Sequence, residues 1–375
     1  MDLALIVHSR YVPSTSTVIS IHADQNILFH SLATRSLTRQ LIGFNDEIVD
    51  VSLLSPYLSS QPSTSTTNSL LDTHVALATN SSLIRVYSTT TLDARLLSGH
   101  SEIVLCLDHG AQGRVLASGS KDRSSRLWAP LASSSQTTQS VPEWGCVAVC
   151  EGHAESVGAI ALSRKAPAED GSDDKLRFMF TGSQDRTIKM WDLSTVPTTA
   201  EPGSEPHKCK SLTTHKAHDK DINSLDVAPN NRLLVSGSQD RTAKIWEIEY
   251  IVYDSGSVRG EIKLLGTCKG HKRGVWTVRF GRAERVLATG SGDKTIKLWN
   301  LDDFTCVKTF EGHTNSVLRV DFINAGMQMV SAASDGLVKL WNVRDESCAA
   351  TMDNHEDKVH VFSSRRPIFS EELTL

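Results

Sequence analysis

No stretch of the 375-residue sequence approaches the roughly 18 consecutive apolar residues that a bilayer span requires. The apolar run at residues 1–7 is too short for a secretory signal and has no basic leader. An excess of positive charge is also missing: 39 Lys+Arg stand against 43 Asp+Glu, for a formal charge of −4. That balance argues against attachment to nucleic acid or an anionic membrane by bulk charge, leaving room only for a local basic patch. Cysteines are few and odd in number, seven over the whole chain, which is no disulfide framework. These absences lead to the expectation of a soluble, intracellular chain. The 39 % hydrophobic and 22 % charged residues are ordinary globular proportions. Length alone would suggest two or three domains, a soft prior that the repeats below displace.

Five segments end in a short β-type run closed by tryptophan: Trp128, Trp191, Trp246, Trp299 and Trp341. Six residues before each stands an aspartate (Asp122, Asp185, Asp240, Asp293, Asp335), and ten before it a Ser or Thr (Ser118, Thr181, Ser236, Thr289, Ser331). A histidine precedes the Trp by 28 residues in four units (His100, His218, His271, His313) and by 38 in the fifth (His153). The longer spacing contains a polar insertion at residues 164–175, which costs little because loop-closure entropy grows only logarithmically with length. Spacers rich in Ser, Thr and Pro at 132–141 and 194–206 read as variable surface loops, with a phosphorylation site as the other reading. Units of 40–45 residues with four short strands, a Gly-His start and a Trp end are WD-type propeller blades. Two degenerate units, closed by Phe29 and by Tyr87, bring the expected count to seven. Phe44 stands near the histidine position of the Tyr87 unit, which carries a long insertion containing residues 61–69. The expected fold is therefore all-β, a WD40 β-propeller of seven blades of four antiparallel strands. It spans residues 1–359, with blades closing near 29, 87, 128, 191, 246, 299 and 341 and a divergent tail at 360–375.

Histidine, aspartate and serine together suggest a hydrolase triad, but five repetitions at fixed strand positions point to scaffold. Such a set can form a buried chain in which Asp accepts from the His ring, His meets the hydroxyl, and the hydroxyl meets the Trp N–H. A buried polar group left unpaired costs about 1–3 kcal/mol, so the chain stabilises mainly when complete. No catalytic, metal or cofactor residues are expected. Cys146 and Cys150 share a strand face without a second Cys or His pair at zinc spacing, and read as core cysteines. The Gly-Ser-Gln-Asp runs sit in β-turns rather than opening a phosphate-binding helix. Asp173-Asp174 lies in an insertion with no apolar surroundings. Lys269, Lys272 and Arg273, with Arg279 and Arg282 nearby, form the densest basic cluster, either a solvated rim or a contact to RNA phosphate or an acidic partner.

Beyond the generic repeat, residues 41–51, 217–224, 237–246, 304–317, 334–341 and 355–359 resemble the transducin-beta-like WD-repeat subunits of the small-subunit processome. Segments such as Asp219-Lys220-Asp221-Ile222-Asn223 and His355-Glu356-Asp357-Lys358-Val359 are not part of the generic blade pattern. The resemblance, collinear from about residue 19 to 359, implies a nucleolar, non-enzymatic scaffold in the UTP-B subcomplex, associated with the U3 small nucleolar ribonucleoprotein. Implied partners are other WD-repeat subunits, U3 small nucleolar RNA and pre-rRNA, with no membrane and no small-molecule substrate. The implied role is in the early cleavages that release the 18S rRNA precursor. Members of that family carry tandem propellers and a C-terminal helical domain. Against that pattern the chain reads as a truncated form, starting near the end of the first propeller and stopping in the last blade of the second. The seven units then close as one ring, or the Phe29 unit is a remnant and the ring is incomplete, with exposed strand edges. The alternative function is an adaptor of another complex, a ubiquitin-ligase substrate receptor or a signalling scaffold.

Overall fold

The structure, a computed structural model, describes residues 48–55, 74–88, 91, 93–132, 141–164, 176–281, 286–323 and 326–352, together with the strand backbones at 6–12, 17–22, 27–31 and 36–41. Phe44, the insertions at 61–69 and 165–175 with Asp173-Asp174, Arg282, the 355–359 segment and the tail at 360–375 lie outside the described residues.

Each repeat folds as an antiparallel meander, because short apolar runs alternate with tight polar turns. The N-terminal meander comprises β1 (Ile6–Val12), β2 (Thr17–His22), β3 (Ile27–Ser31) and β4 (Ser36–Leu41). The first blade holds β5 (Ile48–Leu54), β6 (His74–Thr79), β7 (Ile84–Ser88) and β8 (Ala94–Leu97). The second holds β9 (Val104–Gly110), β10 (Val115–Ser120), β11 (Ser124–Pro130) and β12 (Trp144–Glu151). The third is β13 (Val157–Leu162), β14 (Phe178–Ser183), β15 (Thr187–Asp192) and β17 (Ser211–Lys216), because β16 (His207–Lys208) departs to another sheet. The fourth is β18 (Ile222–Val227), β19 (Leu233–Ser238), β20 (Thr242–Val252) and β21 (Val258–Lys269). The fifth is β22 (Val275–Phe280), β23 (Val286–Ser291), β24 (Ile296–Asn300) and β25 (Cys306–Phe310), and the sixth β26 (Val317–Ile323), β27 (Gln328–Ala333), β28 (Val338–Asn342) and β29 (Cys348–Met352).

The inner strands β5, β9, β13, β18, β22 and β26 pack successively against one another. Arg319 on β26 reaches Asp50 on β5 at 3.3 Å, joining the last blade to the first. The architecture is thus a β-propeller of six blades, which corrects the expectation of seven. The Phe29 unit does form a four-stranded meander, with Phe29 paired to Ile19, but the row of packed inner strands runs from β5 to β26 without it. Meanders form from local turns, whereas a place in the ring depends on packing against two neighbours, and a count of strand-closing aromatics measures only the former.

Adjacent blades share one core. Trp246 of the fourth blade packs with Phe178, Phe180 and Met190 of the third, and Trp299 of the fifth with Val235 and Ile245 of the fourth. Burying each indole removes roughly 150–250 Å² from water. The blades approach so closely that a Cβ added at Gly237 would lie 2.7 Å from Val278, and one at Gly182 2.7 Å from Ile222. Both glycines are strand residues, of β19 and β14, required by the neighbour's proximity.

The spacer at 194–206 is not a plain surface loop. It runs back to the second blade, where β16 pairs parallel with the outer strand β12 and Ala200 bridges Leu131. Ala200 N–H donates to Pro130 O at 2.8 Å and Ala132 N–H to Ala200 O at 3.0 Å, while Val196 and Ala200 are buried. This strap blunts an edge that would otherwise offer unpaired backbone groups.

Candidate functional site

In the second to sixth blades an aspartate builds the turn between the second and third strands. In the fourth blade Thr242 N–H donates to Asp240 Oδ1 at 3.0 Å, and Ser238 Oγ accepts the Asp240 N–H at 3.1 Å. The chain then reverses through Arg241 at φ 74°, a left-handed conformation that non-glycine residues seldom adopt. The other carboxylate oxygen, Oδ2, is left pointing at the Ala217-His218 loop that enters the blade, the counterpart of the Gly-His loops elsewhere.

There it accepts from the histidine. His218 Nδ1 lies 2.8 Å from Asp240 Oδ2, and its Nε2 lies 2.8 Å from Ser236 Oγ. Trp246 Nε1–H donates to the same hydroxyl at 2.9 Å. An ionised carboxylate only accepts, so His218 carries its proton on Nδ1 and its Nε2 accepts the Ser236 hydroxyl proton. Every donor in the relay then has an acceptor. The same relay occurs in His100–Ser118–Asp122–Trp128, His153–Thr181–Asp185–Trp191, His271–Thr289–Asp293–Trp299 and His313–Ser331–Asp335–Trp341, with His-to-Asp distances of 2.7, 2.8, 2.9 and 3.0 Å. All five hydroxyl-bearing residues are fully buried.

The relays also set the charges. Burial alone would raise the carboxyl pKa of Asp240, but hydrogen bonds from His218 and Thr242 outweigh it and hold the group well below the usual carboxylate range. Asp122 and Asp293 behave alike, and Asp185 and Asp335 are likewise lowered. For His153 and His313 burial prevails over the neighbouring carboxylates and lowers the ring pKa, favouring the neutral form.

Because each His meets its Asp, the Gly-His loops and the aspartate turns lie on one face of the ring, here termed the relay face. Lys269, Lys272 and Arg273 are exposed around the Gly-His loop of the fifth blade. Arg279 does not join them. It points into the central channel, 3.6 Å from Asp226, and burial, which opposes its charge, is outweighed by Asp226 and Asp321.

The channel holds a network that spacing did not disclose. Asp50, Asp108 and Asp226 each accept an N–H from the next inner strand, from Leu107, Leu162 and Phe280 at 2.8, 2.8 and 2.9 Å. Arg164 bonds both Asp108 oxygens at 3.1 Å and Asp226 at 3.0 Å, tying the second blade to the fourth across the third. In the sequence Arg164 merely opens a polar insertion, with nothing in its neighbours to mark this role. Burial raises the Asp50 pKa against the opposing pull of Arg319 and the Leu107 N–H. An aspartate near the end of an inner strand, as at Asp108, Asp226 and Asp321, was the available signal. Cys150 is buried, Cys146 half-buried, and Cys209 packs against Cys150 through the β12–β16 pairing. Among the described residues no cluster of three or more His, Cys, Asp or Glu could hold a metal.

The model of the WD domain, G-beta repeat, matches residues 92–129, 144–192, 209–247, 262–300 and 304–342. Transducin beta-like protein 3 of Mus musculus is 39 % identical over 277 residues, covering 73 % of this chain and 29 % of that protein. The Bos taurus protein of the same name is 40 % identical over 276 residues, with coverages of 73 % and 29 %. U3 small nucleolar RNA-associated protein 13 of Saccharomyces cerevisiae is 32 % identical over 276 residues, covering 71 % of this chain and 29 % of that protein. The chain thus spans less than a third of the length of these curated relatives. Among solved structures, the computationally designed Ika8 protein matches with a TM-score of 0.65 over 98 % of this chain and 92 % of that one, at 20 % identity, a likeness of fold alone.

Proposed function

The chain belongs to the WD domain, G-beta repeat family, and from that premise we propose that it is a non-catalytic scaffold of ribosome biogenesis, acting in the nucleolus. The observation that carries the reading is the 32–40 % identity, over some 276 residues, to transducin beta-like protein 3 and to a protein named for its association with U3 small nucleolar RNA. In this reading the chain assembles with other WD-repeat subunits of the small-subunit processome, in its UTP-B subcomplex, and with U3 RNA and pre-rRNA. It supports the early cleavages that lead to 18S rRNA.

The physical fit is good. Five relays and a cross-channel arginine stiffen the ring, so its loops are held in fixed relative positions at little further entropic cost on binding. The hydroxyls that could have served as nucleophiles are sealed inside the blades. An 11-residue β20 and a 12-residue β21 form a hairpin longer than its counterparts, with Ile251, Val252 and Tyr253 exposed at its tip. Such an arm suits contact with a neighbouring subunit.

The test is affinity purification of the tagged 375-residue chain from its own cells, identifying proteins and small RNAs together. U3 small nucleolar RNA recovered with other propeller subunits is the expected result. Recovery of ubiquitin-ligase or signalling components without U3 RNA would move the chain to the adaptor class.

A further inference from the structure

Of the seven tryptophans, five close relays; Trp276 does not. It is the second residue of β22, at the bulge where the register slips between Val275 and Thr277, so it has no partner on β23. A bulge re-aims the side chain it releases. Trp276 is 38 % exposed, whereas Val49, Leu105, Gly158, Asn223 and Leu318, at the same place in the other blades, are smaller and half-buried.

The indole rests on the aspartate turn of its own blade. A Cβ added at Gly292 would lie 3.2 Å from Trp276 Nε1 and 3.4 Å from Arg273 Cβ. Gly292 has no left-handed φ to explain it. At this turn position the second, third, fourth and sixth blades carry Lys121, Gln184, Gln239 and Ser334. The glycine therefore makes room for the tryptophan.

Cations stand on the loop and the turn that flank Trp276. Lys272 and Arg273 on the Gly-His loop and Lys294 in the turn, at φ 73°, are all exposed, with Lys269 at the loop's start. The loop and turn are tied by Gly292 N–H to Gly274 O at 2.9 Å and Ser291 Oγ to Arg273 O at 3.1 Å. The carboxylate between them, Asp293, is engaged by His271, by the Lys272 N–H at 2.8 Å and by Thr295.

We propose that this patch on the relay face of the fifth blade binds single-stranded RNA, one base stacking on Trp276 while Lys272, Arg273 and Lys294 contact flanking phosphates. A flat exposed indole accepts any base, and cations around it track a phosphate backbone. A folded protein partner would want a wider apolar centre than one ring. The inference rests on the ribosome-biogenesis reading for the RNA's origin, though the binding chemistry is independent of it.

The experiment measures anisotropy of a fluorescein-labelled oligouridine of about 12 nucleotides, titrated with the purified chain from roughly 50 to 200 mM salt. Trp276→Ala should weaken binding by about 5- to 150-fold. Lys272→Ala/Arg273→Ala should weaken it and flatten the logarithmic salt slope by about 1.4, two phosphates' worth for a single strand. Gly292→Gln, which places a neighbouring blade's residue under the indole, should weaken binding as Trp276→Ala does. Arg259→Ala, on the distant hairpin, serves as control and should bind like the parent chain. Thermal unfolding of each variant separates lost contact from lost fold.

No binding by the parent chain, or parent-like binding by Trp276→Ala and Gly292→Gln, overturns the proposal. Capture of an oligoglutamate peptide instead of RNA, lost in the same variants, would make the patch a protein interface and overturn it equally. The co-purification above keeps the two readings apart: U3 RNA recovered in cells, with no RNA bound by the pure chain, leaves the scaffold reading standing and removes this one.

Discussion

Replacing Asp240 with alanine removes the acceptor that ends the fourth blade's relay. Four donors lose their partner: His218 Nδ1–H, the Asp219 and Thr242 N–H groups, and the Thr242 hydroxyl. They do not weigh equally. Asp219 is exposed, so water replaces its bond at almost no cost. The His218 side chain is fully buried and its donor is left with only the Thr242 hydroxyl, 3.4 Å away, a penalty of about 1–3 kcal/mol. Asp240 itself lies near the surface, at 11 % side-chain exposure, so a water entering the vacated space recovers part of that. The expected loss is about 1–3 kcal/mol in all. Urea titration followed by tryptophan fluorescence reads it as a lower midpoint at unchanged slope. A second variant makes the reasoning sharper. In His218→Phe/Asp240→Ala the stranded donor is gone, so the double variant should lose less than the sum of the singles, with a coupling of about 1 kcal/mol or more. A change of only a few tenths for Asp240→Ala, or strict additivity in the cycle, would refute the relay as an energetic unit.

Two other consequences can be measured in the same way. Arg164→Ala takes from the buried Asp226 the nearer of its two arginines, leaving it the Phe280 N–H and Arg279 at 3.6 Å, and breaks the link to Asp108; the expected loss is about 1–3 kcal/mol, below the range for breaking a fully buried pair because Asp226 keeps these partners and Arg164 is partly hydrated. A loss under about 0.5 kcal/mol would place Arg164 among ordinary surface ion pairs. Stability should also decline with acid in two stages. His153 and His313 are held neutral in the folded state, below their ordinary 6.5, so as the pH falls through that value the unfolded chain gains protons that the folded chain resists. Protonated Nε2 would no longer accept the Thr181 or Ser331 hydroxyl proton. The relay aspartates, held below their ordinary 3.8, stabilise the fold above that pH and lose the contribution as the pH falls beneath it. Melting temperatures across pH 8 to 3 test both stages, and a flat profile between 7.5 and 5.5 would contradict the first.

The relays were legible because they are local. Six and ten residues separate Asp and Ser or Thr from Trp in all five Trp-closed repeats, and a hairpin of fixed strand length turns those separations into a fixed geometry. Even a polar insertion between His153 and Trp191 leaves the third blade's relay at 2.7–2.8 Å, since it falls in sequence between the paired strands β13 and β14 and interrupts neither. The basic cluster was visible in the same way, as consecutive residues of one loop. Arg279 was assigned to it by nearness in sequence, but an inner strand carries that side chain into the channel instead.

By itself, then, the sequence determined the repeated four-stranded unit, its buried His–Ser/Thr–Asp–Trp set and the all-β class, because each follows from spacing within one or two hairpins. Only the tertiary structure decided that six blades form the packed row, that residues 194–206 strap the second blade's edge, and that Arg164 bridges three blades. It also decided that Trp276 stands exposed among cations while Trp246 and Trp299 are buried. Each of these depends on which distant segment lies across the gap, and the periodicity of a repeat carries no record of its neighbour's surface.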